Sequence, residues 1–536
     1  FPAVVNPHGH WAKGRLHREE DVPPGPPPPA PPAAGRADLV ALAVSLARRG
    51  FVVFAYDAVG YNDTDRVSHR FAGTPEAWLW GISLLGLQLW NSLRAVDYLE
   101  SLPYVDRGRI GATGASGGAS QTFLLAAVDE RVRASVPVNM VSAHMQGGCL
   151  CENGPALRVG TDNVEIAALT APRPQLLVSA TGDWSKDTPA VEGPAVKRVY
   201  DLYREGERTA VRQFHYGHNY NRESRAAMYA WLRRWLGDGK GDEAGEIELP
   251  ADLDVAVMRV WNDAHPRPAD DLDDAGLLRA LRSERERRLS DLLPRGDARS
   301  MKRFRETALP ALRLALGVSA DAAGGGSGAR RNEPRGALVV HVRGDERAAG
   351  DAARLRATLE SLEYGGGVRV LALPPIDASP EALWKDYFTT YNRAPLGDRV
   401  QEIVDALAAL GRAGSRRVEL VGVGAAGPWA LLARGVAPAD LAPGGTVADL
   451  DRFPWDDDRA YLARLYAPCL RAAGGLRTAA LLAAPNPLCL HNAASGLPRA
   501  DADAVTSGYR AYRSAPPPRV EPARLAPDEI AAWLTK

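Results

Sequence analysis

Short apolar runs alternate with amphipathic stretches of helical spacing over most of this chain, and that alternation limits the folds open to it. Val4-Val5, Phe51–Tyr56, Arg109–Ala112, Ala134–Val138, Gln175–Ser179 and Val211–Phe214 read as strands. Leu39–Arg49, Gly86–Leu102, Gln121–Val128, Ala190–Arg204 and Ser224–Leu236 read as helices between them. Strict alternation predicts an α/β fold, a doubly wound and mostly parallel sheet with helices on both faces. The pattern lapses and then resumes with Ala337–His341, Val368–Ala372, Arg417–Val421 and Thr478–Leu482. Three regions are therefore expected: a first α/β domain over 1–240, a connector over 241–335 and a second α/β domain over 336–536. In the connector, Leu278, Leu281, Leu289 and Leu292 mark one face of a charged helix, and Phe304–Leu316 suggests another. Ala322–Arg331 is a flexible linker by composition. Val22–Pro32 holds eight prolines and predicts a polyproline-like loop.

Composition excludes several classes of function. The 65 basic and 65 acidic side chains cancel, which argues against general binding to nucleic acid or to an anionic membrane. No run of about 18 apolar residues predicts a membrane span. Four cysteines are too few for a disulfide framework in a chain of this length. Cys149 and Cys151 lie two apart, but no second Cys/His pair at ligand spacing accompanies them in sequence, so no metal is expected. Phe1-Pro-Ala-Val-Val-Asn-Pro-His-Gly reads as a buried strand entering a loop, so the chain is expected to start inside a fold.

The chemistry concentrates at Gly114-x-Ser116-x-Gly118. A strand before it and a helix after it predict a sharp turn that lifts the serine hydroxyl above the sheet edge. Helix N-terminal amides then face a developing oxyanion. Such a serine needs a base, and the base needs an acid to fix its tautomer. Asp183 lies just past one predicted strand, with Asp187 as a rival; His218 lies past the next, with His215 as a rival. The backbone amides of His10 and Gly117 are the expected oxyanion donors. Trp11, Trp78, Trp80 and Trp184 offer aromatic faces for a sugar, and Asn219 beside the base is a further substrate-binding candidate. His144–Asn153 suits a pocket wall. Cys149 is not expected to be the nucleophile, because the serine has the better placed base.

Residues 1 to about 237 resemble the α/β-hydrolase family, and within it bacterial proteins grouped with acetyl xylan esterases and related carbohydrate esterases. The resemblance rests on His8–Trp11, Tyr56–Asp63, Gly114–Gly118, Gln146–Asn153, Ala171–Pro174, Gly182–Trp184 and His218–Asn221. It implies a serine esterase that needs no cofactor, acts on a small-molecule or carbohydrate ester and works outside the cytoplasm. A serine peptidase of the prolyl-oligopeptidase type and a non-enzymatic scaffold are the alternatives. The second block reads as a degenerate hydrolase copy. Gly422-Val-Gly424 repeats the turn without its serine, no carboxylate lies between Leu476 and Arg499, and no histidine follows His491. Pro527–Leu534 echoes the helix around Trp231.

Overall fold

The computed structural model describes residues 1–21, 37–237, 245–250, 252–319, 335–362, 364, 367–438, 441, 444–493 and 497–535. The proline-rich loop at Val22–Pro32 and the linker at Ala322–Arg331 lie outside them. The chain forms two compact units: Phe1–Gly73 with Ser83–Arg279, and Thr74–Ile82 with Ala280–Lys536.

The first unit holds six strands: β1 (Ala3–Pro7), β2 (Val52–Tyr56), β3 (Ile110–Ala115), β4 (Val132–Val138), β5 (Gln175–Gly182) and β6 (Thr209–Gly217). They are parallel, in the order β2-β1-β3-β4-β5-β6. Every residue of β1 and β3 is buried, which is why these strands read as unbroken apolar or small-residue runs. Successive side chains enter opposite faces. Val4 joins Leu39, Leu42, Leu46, Met228 and Leu232 on one side, whereas Ala3 and Val5 join Val96, Leu99 and Leu125 on the other. The helices carry their own start signals. The Asp38 carboxylate accepts from Ala41 N at 2.7 Å, and Asn221 Oδ1 accepts from Ser224 N at 3.1 Å, so each satisfies an orphan helical amide. Arg225 is fully buried, and Glu246 balances its charge by accepting from Arg225 Nε at 2.6 Å and from the Tyr229 hydroxyl at 2.7 Å. A buried cation needs such a partner.

The second unit holds β7 (Arg335–Val342), β8 (Val368–Leu373), β9 (Arg417–Gly422), β10 (Thr446–Asp449), β11 (Leu488–His491) and β12 (Arg519–Val520). They too are parallel, in the order β12-β11-β10-β9-β7-β8. Numbered within each unit, the two orders are identical, so the architecture is a tandem of α/β-hydrolase-like sheets. Local detail repeats as well. Ala-Pro-x-Pro directly precedes both β5 (Ala171–Pro174) and β11 (Ala484–Pro487). Ser116 and Gly424, at the turns after β3 and β9, share φ 58°.

One expectation fails here. Thr478–Leu482 lies within the helix Gly475–Ala483, and the strand of this repeat is β11. A five-residue apolar run suits a buried helix as well as a buried strand, and only its surroundings decide. A second correction concerns Trp78 and Trp80, which are 0% and 3% exposed in the second unit. Trp78 O accepts from Cys469 N at 2.8 Å, Leu79 O accepts from Arg471 N at 3.1 Å, and Trp80 Nε1 donates to Asp458 Oδ2 at 2.7 Å. Such enclosed rings offer no face to a sugar. Among the described residues, no helix is long and apolar enough to cross a membrane.

Candidate functional site

All six strands of the first sheet run the same way, so the loops after β1, β3, β5 and β6 gather at one edge. The turn after β3 is the tightest. Ser116 adopts φ 58° and ψ −128° directly before the helix Gly117–Val128, a strained conformation for a residue with a side chain. Its amide donates to Val138 O at 3.1 Å, which ties the turn to β4. The flanking glycines are steric requirements. An added Cβ would lie 2.4 Å from Pro7 O at either Gly114 or Gly118.

Register brings the candidate acid and base together, because Gly182 pairs with Gly217 and the next residues are Asp183 and His218. His218 Nδ1 donates to Asp183 Oδ2 at 2.9 Å. Asp183 Oδ1 accepts from Ser185 N at 2.7 Å and from Ser185 Oγ at 2.5 Å. This carboxylate is buried and locked by three donors. The bond at Nδ1 leaves the lone pair on His218 Nε2, an atom that is buried without a hydrogen-bond partner among the described residues. The Ser116 hydroxyl and His218 Nε2 share a sheet edge but no hydrogen bond among the described residues; such contacts often tighten only with substrate bound. Asp187 instead lies 3.6 Å from His144, and His215 is exposed on β6.

The loop after β1 supplies the third part. The His8 ring is buried, donating from Nδ1 to Gly9 O at 2.7 Å and accepting at Nε2 from Ala58 N at 2.9 Å. Burial pushes its pKa down to about 4, so near neutral pH it is an uncharged clasp between this loop and the one after β2. Gly9 lies against the serine turn, where a Cβ would come 2.5 Å from Ala115 O and 2.8 Å from Ser116 Cβ. A Cβ on Gly117 would lie 3.4 Å from His10 Cε1 and 3.5 Å from Glu152 Oε1. His10 and Gly117 are thus neighbours beside Ser116.

Residues 93–181, which carry the serine turn, match the family described as BAAT / Acyl-CoA thioester hydrolase C terminal. YtaP of Bacillus subtilis (strain 168), a protein named only as a hydrolase, is 29% identical over 203 residues, covering 36% of this chain and 67% of YtaP. Methylesterase BT1017 is similar at 29% identity and a TM-score of 0.43, over 52% of this chain and 58% of that one. A glucuronoyl esterase of carbohydrate esterase family 15 from Caldicellulosiruptor kristjansonii is similar at 16% identity and a TM-score of 0.32, over 47% and 73%. In sequence the chain is similar to a hydrolase, and the stretch around the serine turn to a thioester hydrolase family.

Around the serine turn, the remaining candidates separate. Trp184 packs on His218, ring centroids 4.2 Å apart, and its Nε1 donates to Asn139 O at 3.1 Å. It therefore supports the imidazole. Asn219 O accepts from Asn139 Nδ2 at 2.6 Å, which holds this residue through its main chain. Trp11 stacks on His17 at 5.7 Å and packs against the sheet core.

Sequence reasoning missed the clasp at His8 and the chemistry of the segment expected to be a pocket wall. Arg158, itself buried, donates to Glu152 O, Asn153 Oδ1 and Asn163 Oδ1 at 2.9, 3.1 and 2.8 Å and so shapes that segment. Burial, and then Cys149, push the Glu152 carboxyl above its usual range. The Cys151 thiol, followed by His10 and His69, draws the Cys149 thiol down to about 3. Cys149 in return holds His10 above its ordinary value. The second Cys/His pair that spacing did not offer is supplied in space by His10 and His69.

Proposed function

We propose that this hydrolase is a serine carboxylic-ester hydrolase acting on acyl esters of carbohydrates. The observation that carries the reading is the Asp183–His218 bond at 2.9 Å, with the second imidazole nitrogen left as acceptor, at the same sheet edge as a serine on a strained turn. Ser116 Oγ attacks the ester carbonyl and passes its proton to His218 Nε2. Asp183 stabilises the imidazolium that forms. The amides of Gly117 and His10 meet the tetrahedral oxyanion. Collapse expels the alcohol, which takes the proton from His218. Water, deprotonated by the same nitrogen, then cleaves the acyl-enzyme and releases the acid. The carbohydrate preference follows from the sequence resemblance to acetyl xylan esterases.

The second sheet is read as non-catalytic. Gly424 holds the place of the serine, its amide donates to Asp449 Oδ2 at 3.2 Å, and Arg524 Nε pairs with the same carboxylate oxygen at 3.2 Å. An internal ion pair thus supports a filled site.

A panel of acetylated xylan, glucuronate methyl esters, short aryl esters and aminoacyl amides tests the reading against Ser116→Ala. Esters should turn over and amides should not, and loss of a triad nucleophile costs on the order of a millionfold. Amide cleavage would favour a peptidase, and no turnover of any substrate would favour a scaffold. A Ser116→Ala chain that still hydrolysed esters at a comparable rate would remove Ser116 from the mechanism.

A further inference from the structure

Four ligand-type side chains from three separate loops meet beside Gly117. His10 follows β1, His69 lies in the loop after β2, and Cys149 and Cys151 belong to the segment after β4. Their ligand atoms all fall within 4.8 Å of one another. His10 Nε2 is 3.2 Å from His69 Nε2, 3.4 Å from Cys149 Sγ and 3.2 Å from Cys151 Sγ, and the two sulfurs are 2.7 Å apart. A tetrahedral zinc with bonds of about 2.3 Å to sulfur and about 2.05 Å to nitrogen has edges of roughly 3.3 Å (N–N), 3.6 Å (N–S) and 3.8 Å (S–S). The His10–His69 separation and both His10–sulfur separations match within a few tenths of an ångström, and His69 Nε2 lies within 4.8 Å of both sulfurs. The sulfur pair is too close, and rotation of the half-exposed Cys149 side chain opens it. At 2.7 Å the sulfurs are also beyond the roughly 2.05 Å of a disulfide, and both cysteines are free.

The surroundings are those of a ligand site. His69 Nδ1 donates to Val59 O at 2.6 Å, which leaves Nε2 unprotonated, 3.2 Å from His10 Nε2. This is the outer hydrogen bond that ligating histidines ordinarily make. Gly60 allows the backbone approach, since a Cβ there would lie 2.4 Å from His69 N. The Arg158 bonds fix the segment that presents Cys151.

We propose that His10, His69, Cys149 and Cys151 form a tetrahedral binding site for a borderline divalent metal, zinc first. Two thiolates and two neutral imidazoles suit zinc and leave no position open for water, so the ion is structural. Binding expels to solvent whatever protons the two thiols and the ligating imidazole nitrogens still carry. The ion joins three loops at the residue whose amide faces the oxyanion, and so positions His10. This goes beyond the esterase reading and does not depend on it.

The test uses the full chain, purified under reducing conditions and then loaded with zinc or cobalt(II). One equivalent of metal per chain is expected, with the intense visible absorption of tetrahedral cobalt(II) bound to thiolate. Cys149→Ser with Cys151→Ser, and His69→Gln, should each lose that spectrum and the metal, whereas Cys489→Ser and Ser116→Ala should keep both. Circular dichroism of each variant separates lost ligands from lost fold, and the cobalt spectrum of the unaltered chain reports ligand type without any variant. A fully reduced chain that takes up no metal overturns the proposal. So does metal retained by the folded double-cysteine variant, or a spectrum without thiolate ligation.

Discussion

Replacing Asp183 by Asn probes the proposed acid of the site in a way the hydrogen bonds make calculable. Oδ1 accepts from both the amide and the hydroxyl of Ser185, and Oδ2 accepts from His218 Nδ1. An asparagine keeps its carbonyl oxygen on the two Ser185 donors, so its NH2 group faces His218. The imidazole must then accept at Nδ1 and carry its proton on Nε2, where it cannot take one from Ser116. Flipping the amide restores the tautomer but leaves the buried Ser185 N–H without an acceptor, at about 1–3 kcal/mol. The imidazolium also loses a carboxylate close by, worth about 4 kcal/mol at 4 Å and an effective dielectric of 20. Together these give roughly 5–7 kcal/mol, a fall of about 10⁴ to 10⁵ in kcat at 1.36 kcal/mol per tenfold. Initial rates on a short aryl ester measure it, with a thermal melt to confirm the fold. Asp187→Asn is the control, because its pairing with His144 is solvent-exposed and such pairs contribute about 1 kcal/mol or less. A folded Asp183→Asn chain within tenfold of the unaltered rate would refute the assignment.

Gly9→Ala drives a methyl group to 2.5 Å from Ala115 O; displacing the loop proposed to hold the oxyanion should lower kcat by about 10² to 10³, as loss of one oxyanion donor does, and an unchanged kcat would detach this loop from the chemistry. His8 is held down to about 4 by burial, while in the unfolded chain it titrates near 6.5. Between those values the unfolded state binds the extra proton, so stability is complete above about pH 6.5 and falls as pH drops toward 4. Melts of the unaltered chain should show that loss, and His8→Asn should flatten it; parallel pH profiles would contradict the assignment. Gly424→Ser in a Ser116→Ala background places a Cβ 3.2 Å from Asp345 Oδ2, with no histidine after His491 to serve as base. No turnover above the single variant is expected, and any gain measured on aryl esters would mean that the second sheet retains a site.

What the sequence made legible follows from how local each constraint is. Gly114 and Gly118 are demanded by atoms of the same turn and of the adjacent strand, so their spacing alone announces the serine turn. Val4 and Val5 serve opposite faces of one buried strand, hence the apolar run that marks β1. Thr478–Leu482 misleads because the Asn486-Pro487 step hides the four-residue β11 that follows. The cluster at the rim was illegible for a different reason. His10, His69 and Cys149 stand 59 and 139 residues from their contacts across it, and no spacing rule spans loops that only the strand order β2-β1-β3-β4 brings together.

The segment Thr74–Ile82 has a consequence for anyone who would dissect the chain. It leaves the first unit after Gly73, contributes Trp78 and two main-chain carbonyls to the second, and returns at Ser83. The two bodies therefore do not follow one another along the polypeptide. During synthesis the first can complete its sheet while Ala77, Trp78 and Leu79, all buried in the finished protein, still wait for partners near Cys469 that emerge almost four hundred residues later. A single cut near residue 280 strands these side chains on the wrong fragment. The amino-terminal piece gains an apolar surface with nothing to cover it, and the carboxy-terminal piece loses part of its core.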